Sequence, residues 1–265
     1  MAGQDEAPRG RRPNDGVQYT HFGSERVEMD AKSARVGQVF STVAGRYDLM
    51  NDLMSGGLHR LWKGALVAWL APGAGKRGYL HADVAGGTGD VAYRVLDAAG
   101  PAARSLIIDV NPAMLEQGQR RPEARRLAPR VAFVAGDAER MPLADCAVDA
   151  VTIAFGIRNV TRIERALDEA FRVLRHGGRF LCLEFGHVSV PLLDDIYDAY
   201  SDRVIPLLGQ AVTGNAAAYR YLVESIRRFP PQDEFAAMIA AAGFERVAFR
   251  DLAGGIAAMH SGWRL

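Results

Sequence analysis

A glycine-rich turn that begins and ends with an acid is the first feature of this sequence that could do chemistry. The segment 83–90, DVAGGTGD, follows an apolar run and precedes the apolar positions of a helix. Glycines at such a turn let backbone amides approach a ligand closely. From Gly87 onwards the chain also satisfies the G-x-G-x-x-G/A pattern of nucleotide-binding turns. The pattern predicts a cofactor-binding turn that contains Gly86 and Thr88.

Two further acids end the next two apolar runs. Asp109 ends the second run, where an acid accepts hydrogen bonds from the ribose hydroxyls of a bound nucleoside. Asp137 ends the third run, where it could accept a hydrogen bond from an adenine amino group while Ala138 offers its backbone amide. The turn and the acids together predict a nucleoside cofactor, without saying which one.

Asp83 helps to decide whether the cofactor is a nicotinamide dinucleotide or S-adenosylmethionine. It stands directly before the glycines, where the pyrophosphate of a dinucleotide would lie and where another carboxylate would repel it. S-adenosylmethionine has no phosphate, and its sulfonium and amino groups are positive. Asp83 therefore favours S-adenosylmethionine over a nicotinamide dinucleotide.

Alternating strands and helices position these residues. Short apolar runs predict buried strands at 79–85, 105–110, 131–134, 147–155 and 179–185. A helix is predicted at 161–174, with a Thr161–Glu164 capping box and a stop at 177–178. Such alternation is typical of a mainly parallel sheet. A last helix at 231–242 and two strands at 244–251 and 255–262, as a hairpin, complete the pattern.

Composition excludes several classes of protein. The chain has 265 residues with 32 Lys and Arg against 31 Asp and Glu, so a net charge of +1 gives no reason to expect a nucleic-acid binder. Cys146 and Cys182 have no second cysteine at metal-ligand spacing, and the six histidines are scattered. We therefore expect no disulfide framework and no metal site. No apolar run is long enough to cross a bilayer.

Several motifs make the sequence resemble the ubiquinone/menaquinone biosynthesis C-methyltransferases. These are class I methyltransferases that methylate a ring carbon of a polyprenylated quinol precursor. The resemblance covers about residues 19 to 265. It rests on THFG (20–23), YDLMNDLMS (47–55), HRLWK (59–63), AGGTGD (85–90), FGIRNV (155–160), and YRYL with ESI (219–222 and 224–226).

The resemblance implies an S-adenosylmethionine site at particular positions. Carried over residue by residue, it falls on Thr88, Asp109, Asp137 with Ala138, and Ala154. Asp137 stands where the family commonly has asparagine, and it can still accept from adenine. Ala154 stands where serine is common, and it offers only its backbone.

Arg158 and Asn159 are the candidate catalytic residues. They follow the fourth predicted strand, at the edge where α/β sheets place ligands. Carbon methylation needs an electron-rich ring, so we expect Arg158 to stabilise a phenolate and Asn159 to orient the second ring oxygen. The alternative is a structural turn in which Asn159 caps the next helix. Tyr47, Asp52 and His59 are candidates to close the ring pocket from the N-terminal helices.

We predict one Rossmann-like class I methyltransferase domain, residues 19–265, after a disordered tail, 1–18. Its seven-stranded, mainly parallel sheet ends in an antiparallel hairpin. The domain divides into N-terminal helices (19–75), a cofactor-binding core (79–185), a helical lid or substrate insertion (186–229), and the final helix and hairpin (230–265). Apolar residues at 192–208 in the insertion are candidates to contact a prenyl tail.

The expected ligands are S-adenosylmethionine and a polyprenylated quinol, with either a benzoquinol or a naphthoquinol ring. We expect a cytoplasmic protein and no nucleic-acid partner. Peripheral contact with the inner face of the membrane, a place in a quinone-synthesis complex and a homodimer are left open. Two rival functions remain: a nicotinamide-dependent oxidoreductase and a non-catalytic, lipid-binding subunit of such a complex.

Overall fold

Strands and helices alternate through the middle of the chain, as the sequence predicts. The computed structural model describes residues 18–43, 49, 51–52, 55–73, 78–188 and 216–265. Three sequence predictions lie outside these residues: the tail up to residue 17, the role of Tyr47, and the apolar stretch 192–208 of the insertion.

The bounds of the elements are as follows. The strands are β1 (Tyr19–Phe22), β2 (Glu25–Glu28), β3 (Leu80–Val84), β4 (Arg104–Asp109), β5 (Val131–Ala135), β6 (Val148–Ala154), β7 (Leu174–Phe185), β8 (Glu245–Leu252) and β9 (Ala257–Arg264). The helices are α1 (Met29–Val43), α2 (His59–Leu70), α3 (Asp90–Ala99), α4 (Pro112–Gln119), α5 (Pro122–Leu127), α6 (Ile163–Val173), α7 (Ala216–Arg227) and α8 (Gln232–Ala241). Short 3-10 turns occupy Ile157–Asn159 and Ala253–Gly255.

The main sheet has seven strands in the order β5-β4-β3-β6-β7-β9-β8. Neighbours from β5 to β7 are parallel, whereas β9 runs antiparallel to both β7 and β8. The predicted fold class is therefore confirmed. The chain leaves β3 towards β4 and β5 on one side, and then returns to β6 and β7 on the other. Ligands of α/β sheets bind at such a reversal, outside the carboxyl ends of the strands.

Apolar layers cover both faces of this sheet. Successive strand residues point to opposite faces, and in β7 Leu181 and Leu183 pack into one layer while Phe180 and Cys182 pack into the other. The first layer is built with α2 and α7, and the second with α6 and α8. The sheet is thus held rigidly between helices, which fixes the positions of its strand ends.

The N-terminal segment contains a hairpin that the sequence analysis did not anticipate. β1 and β2 pair antiparallel around Gly23, whose φ of +57° suits a residue without a side chain. The hairpin packs on α7: the Phe22 ring stacks on Tyr221 with centroids 4.2 Å apart, and the Ser24 amide donates to Glu224 Oε2 at 2.7 Å. Strands of four residues are too short for their alternation to stand out in the sequence.

The junction between α6 and β7 also differs from the prediction. The helix ends at Val173, and Leu174 already pairs with Val148, so glycines 177–178 lie inside β7 rather than at the helix end. The predicted capping box is wrong as well. The N-cap of α6 is Arg162, with no side-chain cap, and its amide donates to Glu139 Oε1 at 2.9 Å. A distant carboxylate therefore accepts the N-cap amide, which is the role that the capping box assigned to Glu164.

Candidate functional site

A cavity with about 790 Å³ of empty space, part of it open to solvent, lies at the carboxyl edge of the sheet. Its walls come from the turn after β3, the ends of β4, β5 and β6, and helix α1. Of the predicted site residues, four line this cavity: Asp109, Asp137, Ala138 and Asn159. Gly87, Phe155 and Gly156 line it too. Residues from four strand ends thus meet at one place, as the sequence predicts.

The glycine turn presents its backbone to the cavity through Gly87. This residue has φ +55°, and its amide donates to Asp109 Oδ2 at 2.8 Å. Gly86 is folded inward, and a Cβ there would come within 3.0 Å of the Asp83 carboxyl group. Thr88 is not among the residues that line the cavity, and its hydroxyl accepts a hydrogen bond from Arg121 Nη1 at 2.9 Å. Gly86 and Thr88 therefore shape the turn rather than line the cavity wall.

Asp109 is the acid that the cavity is built around. Its second oxygen accepts from the Asn111 amide at 2.8 Å, so two backbone donors fix the carboxylate. Burial raises the pKa of Asp109, while these two hydrogen bonds lower it. Asn111 in turn caps α4 and donates to the Gly37 carbonyl of α1 at 3.2 Å. A half-buried carboxylate held in this way is ready to accept hydroxyl donors from a ligand.

The ends of β5 and β6 supply the rest of the predicted cofactor site. Asp137 borders the cavity, and its Oδ1 accepts from the Glu139 amide at 2.9 Å. Ala138 is buried beside it. Ala154 does not line the cavity, but the next residue, Phe155, does, with a φ of +58° that is rare for a side-chain-bearing residue.

Gly156 brings the turn after β6 close to the glycine turn. A Cβ on Gly156 would stand 2.6 Å from the Ala85 Cβ, closer than packed atoms approach. Any side chain at this position would push the two turns apart. The turn that carries Arg158 and Asn159 therefore depends on a glycine to reach the cofactor side of the cavity.

Asp83 lies beneath the glycine turn and belongs to a buried polar chain. Thr152 Oγ1 donates to its Oδ1 at 2.8 Å and the Ala92 amide donates to its Oδ2 at 3.1 Å. His81 continues the chain, with Nε2 2.9 Å from Thr152 Oγ1 and Nδ1 2.9 Å from Ser105 Oγ. Burial raises the pKa of Asp83 to about 7 and lowers that of His81 to about 3. Asp83 therefore acts on the cavity through the turn that it supports, and through its charge only when its proton is lost.

The raised pKa of Asp83 predicts a pH-dependent stability. The folded protein keeps this proton at pH values where the unfolded chain has lost it, so the associated stability is lost as the pH rises towards and through 7. Asp83→Asn removes the titration. The quantity to compare is the free energy of unfolding of Asp83→Asn minus that of the wild type. This difference should be larger at about pH 8 than at about pH 5, by on the order of 1 kcal/mol or more.

Urea unfolding at the two pH values measures this difference. Asp97→Asn is the control, because a hydrogen bond from Arg126 lowers the pKa of that exposed carboxylate, and no such gain is expected. An Asp83→Asn difference that is the same at both pH values would contradict the prediction.

Arg158 forms a buried ion pair with Glu184 of β7. Arg158 Nη1 lies 2.5 Å from Glu184 Oε1, and the two side chains are only 2 % and 1 % exposed. Arg158 Nη1 also donates to the Phe155 carbonyl at 2.8 Å, and the Phe185 amide donates to Glu184. Burial raises the pKa of Glu184, and the positive charge of Arg158 opposes the rise. Arg158 thus anchors the turn, with its charge already compensated.

Asn159 reaches the cavity and is held from α7. Tyr221 donates its hydroxyl to Asn159 Oδ1 at 2.9 Å, which leaves the Nδ2 amide of Asn159 as the group it offers to a ligand. The next residue is held from α1, where Lys32 Nζ donates to the Val160 carbonyl at 2.9 Å. Asn159 does not cap α6, whose N-cap is Arg162.

Three residues that hold this turn were missed from the sequence. Glu184 carried a usable signal, because a charged residue inside a predicted buried strand needs a partner. Tyr221 belongs to the YRYL motif, but nothing in that motif indicates a contact with Asn159. Lys32 carried no signal, since it lies far along the chain from the turn it contacts. His59 and Asp52, two candidates for closing the ring pocket, instead bond to each other, with His59 Nε2 2.8 Å from Asp52 Oδ1. Neither lines the cavity.

Comparisons with known proteins agree with this architecture. The profile of the ubiE/COQ5 methyltransferase family matches residues 28–264. A protein of Methylobacterium nodulans named ubiquinone/menaquinone biosynthesis C-methyltransferase UbiE is 60 % identical over 246 residues, 93 % of this chain and 97 % of the relative. A protein of Brucella abortus with the same name is 54 % identical over 244 residues, 92 % of this chain and 90 % of the relative.

Solved structures share the fold at much lower identity. A SAM-dependent methyltransferase of Thermotoga maritima superposes with a TM-score of 0.59 at 20 % identity, covering 87 % of this chain and 100 % of that one. One from Aquifex aeolicus gives a TM-score of 0.56 at 15 % identity, covering 82 % and 97 %. Sheet order, cavity and sequence matches over nearly the whole chain lead to one conclusion: this protein is a methyltransferase that belongs to the ubiE/COQ5 methyltransferase family.

Proposed function

We propose that this enzyme transfers a methyl group from S-adenosylmethionine to a ring carbon of a polyprenylated quinol in ubiquinone or menaquinone biosynthesis. The observation that carries the proposal is one cavity in which the Asp109 carboxylate and the Asn159 amide meet. The names of the relatives that are 54 % to 60 % identical support the choice of a quinol precursor as the acceptor.

The cavity fits S-adenosylmethionine by its donors and acceptors. Asp109 offers a fixed carboxylate to hydroxyl groups, and Asp137 with Ala138 offers an acceptor and an amide to a base. Gly87 has no side chain, and a Cβ at this position would already stand 3.0 Å from Met114 Cε. The wall of the cavity at Gly87 is therefore formed by backbone atoms. When bound, S-adenosylmethionine supplies a methyl group on a positive sulfur, which leaves as a neutral thioether.

The protein's part in the reaction is to hold an electron-rich ring beside that methyl group. Loss of a hydroxyl proton to water places negative charge on the ring, and the Asn159 Nδ2 amide can donate to a ring oxygen. Fixing two reactants in one geometry supplies roughly 7 to 11 kcal/mol of barrier reduction. The negative charge of the ring and the positive charge of the sulfonium are both lost when the products form. A cavity with little water therefore favours the step.

Tyr221→Phe tests whether Tyr221 positions Asn159. Phenylalanine keeps the ring stacked on Phe22 but removes the hydroxyl that bonds to Asn159. A lost hydrogen bond of about 1 kcal/mol should lower turnover roughly fivefold while S-adenosylmethionine affinity stays near the wild-type value. Single-turnover methylation and calorimetry measure the two quantities.

Phe22→Leu is the matched control, because it removes the stacked ring and leaves the hydroxyl of Tyr221 in place. Equal turnover in Tyr221→Phe and the wild type would show that Asn159 does not need this contact.

The prenyl tail and the membrane belong to the proposal as well. Among the described residues, no helix combines the length and the apolar character needed to span a bilayer. We propose that the enzyme works in the cytoplasm and meets its lipid substrate at the inner face of the membrane, by itself, as a homodimer or in a quinone-synthesis complex. Sedimentation with lipid vesicles and size-exclusion chromatography test these points.

The decisive experiment is methylation by the purified protein. S-adenosylmethionine with a labelled methyl group is incubated with a reduced, short-chain prenylated benzoquinol or naphthoquinol that lacks the ring methyl. Mass spectrometry should find the label on a ring carbon of at least one of them. The same method applied to cells without this protein should find the unmethylated quinone accumulating.

The rival functions give different results. A nicotinamide-dependent oxidoreductase would bind NADH in a calorimetric titration and would not bind S-adenosylmethionine. A non-catalytic lipid-binding subunit would transfer no label. In its ionised form, the buried Asp83 carboxylate under the glycine turn disfavours a bound pyrophosphate, and so supports the methyltransferase.

A further inference from the structure

A second cavity adjoins the first along Val160 and Thr161, which line both. It contains about 1,120 Å³ of empty space, including its open mouth. Hairpin β1–β2, helix α1, the turn after β6 and helices α7 and α8 contribute to its walls. The charged and titratable side chains that line it are His21, Lys32, Arg158, Glu164, Tyr221, Arg228 and Glu234.

Lys32 is the unusual member of this group. It is only 8 % exposed, and its one hydrogen bond goes to the Val160 carbonyl at 2.9 Å. An ammonium group has three donors, so two remain for another acceptor. Among the residues that the structure describes, no carboxylate lies within ion-pair distance of Lys32. The negative charge of Glu139 acts on Lys32 from a distance. Glu139 itself forms an ion pair with Arg162, whose Nε lies 2.6 Å from Glu139 Oε2.

Burial of this kind is costly for a cation. Desolvation lowers the pKa of Lys32, and the charge of Glu139 only partly offsets this. A buried charge is stabilised when an opposite charge or further acceptors come within reach. An anionic ligand in the cavity would therefore be favoured by the side chain that the fold already places there.

Arg158 differs from Lys32 in this respect. Its guanidinium is paired with Glu184 at 2.5 Å, so an anion beside Arg158 also meets a buried carboxylate. Lys32 is bonded to the residue that follows Asn159, at the wall between the two cavities. The uncompensated positive charge next to Asn159 therefore comes from α1 rather than from the turn itself.

We propose that the Lys32 ammonium donates a hydrogen bond to a ring oxygen of the acceptor and stabilises that oxygen as it becomes a phenolate. This inference rests on the proposed function and makes Lys32 a catalytic residue of the methyl transfer. The oxygen's proton leaves to water, and the ring's electron pair forms the new bond to the methyl carbon while the methyl–sulfur bond breaks and leaves its electron pair on sulfur. The ring-carbon proton is then lost to water. Lys32 keeps its own proton throughout.

Lys32→Met is the main test, because methionine fills similar space without charge. Turnover of the prenylated quinol should fall about 100-fold, the usual effect of removing one preorganised donor, while S-adenosylmethionine affinity stays near the wild-type value. Lys32→Arg should restore part of the turnover. The control is Arg35→Met on the same helix, an exposed residue bound to Glu25 at 2.6 Å, which should keep wild-type turnover.

A spectroscopic measurement separates catalysis from support of the Val160 carbonyl. A 2-prenyl-4-nitrophenol absorbs visible light when ionised, and a nearby positive charge favours the ionised form. The wild type should lower the pKa of the bound phenol, and Lys32→Met should raise it by about one unit, a tenfold change in ionisation. Thermal melting verifies that each variant is folded, and Lys32→Gln replaces Lys32→Met if the latter is not.

The outcomes are distinct. If the wild type methylates neither quinol, the proposed function fails. If the wild type methylates a quinol and Lys32→Met does so equally well, only the role of Lys32 fails. An ionised fraction of bound nitrophenol that is unchanged in Lys32→Met, or a wild type that does not bind the nitrophenol, also overturns the inference.

Discussion

Arg158→Ala is expected to destabilise the protein severely instead of only slowing it. The substitution leaves Glu184, 1 % exposed, without its counter-charge. Breaking a buried ion pair from one side typically costs about 3 to 5 kcal/mol, a large part of the roughly 5 to 15 kcal/mol that holds a domain folded. We expect a large fall in the midpoint of urea unfolding.

The double variant Arg158→Met with Glu184→Leu is the matched control. Removing both charges takes away the desolvation cost as well as the attraction, so much of the stability should return. The coupling between the two sites, obtained from a double-mutant cycle, should then be several kcal/mol in size, on the order of the loss in the single variant. Wild-type stability of Arg158→Ala would contradict the buried pair.

This result changes how the activity of such variants is interpreted. The sequence motif predicts that Arg158 stabilises the phenolate, and a loss of turnover in Arg158→Ala is the result that this role predicts. The ion pair provides a different explanation, since the turn that carries Asn159 loses its anchor. Arg158→Lys retains a charge for Glu184 but not the planar fork, so it is the informative variant for turnover.

Asp109→Ala is expected to weaken S-adenosylmethionine binding about 10- to 150-fold. A hydrogen bond to a charged acceptor contributes about 1.5 to 3 kcal/mol, and each 1.4 kcal/mol is about tenfold in affinity. The substitution also leaves the backbone amides of Gly87 and Asn111 without the carboxylate to which each donates a hydrogen bond at 2.8 Å. The glycine turn therefore loses support at the same time.

Calorimetric titration of the cofactor measures this effect. Asp97→Ala, an exposed carboxylate of α3 that pairs with Arg126, is the control and should bind as the wild type does. Unchanged affinity in Asp109→Ala would remove Asp109 from the site and with it the argument that this cavity holds a nucleoside.

The cofactor side of the cavity could be predicted from the sequence because it is local. Asp109 and Asp137 each stand where an apolar run ends, and parallel strands bring their carboxyl ends to one edge. Thr88 and Ala154 occupy the predicted turns and are not among the residues that line the cavity, so their contact with the cofactor stays a prediction.

The acceptor side could not be predicted in this way, because long-range packing builds it. Glu184 lies 26 positions from Arg158, Tyr221 lies 62 from Asn159, and Lys32 lies 128 from Val160. Periodicity reports which face of an element is buried but not which element covers it. The hairpin β1–β2 was not predicted because its strands have only four residues each, and its packing on α7 is again a long-range contact.

The stacking of Phe22 on Tyr221 has a consequence for how this enzyme could have diversified. Most of the cofactor half comes from one stretch of chain, 85–139, with α1 added to its wall. The acceptor half combines the turn after β6 with regions from both ends of the chain. An exchange of acceptor specificity between relatives would therefore require the amino-terminal hairpin, α1 and α7 to be transplanted together. A chimera that swaps only one of them would keep the strand-end acids of the cofactor site. It would mismatch the contacts by which Phe22, Lys32 and Tyr221 hold the turn that carries Asn159.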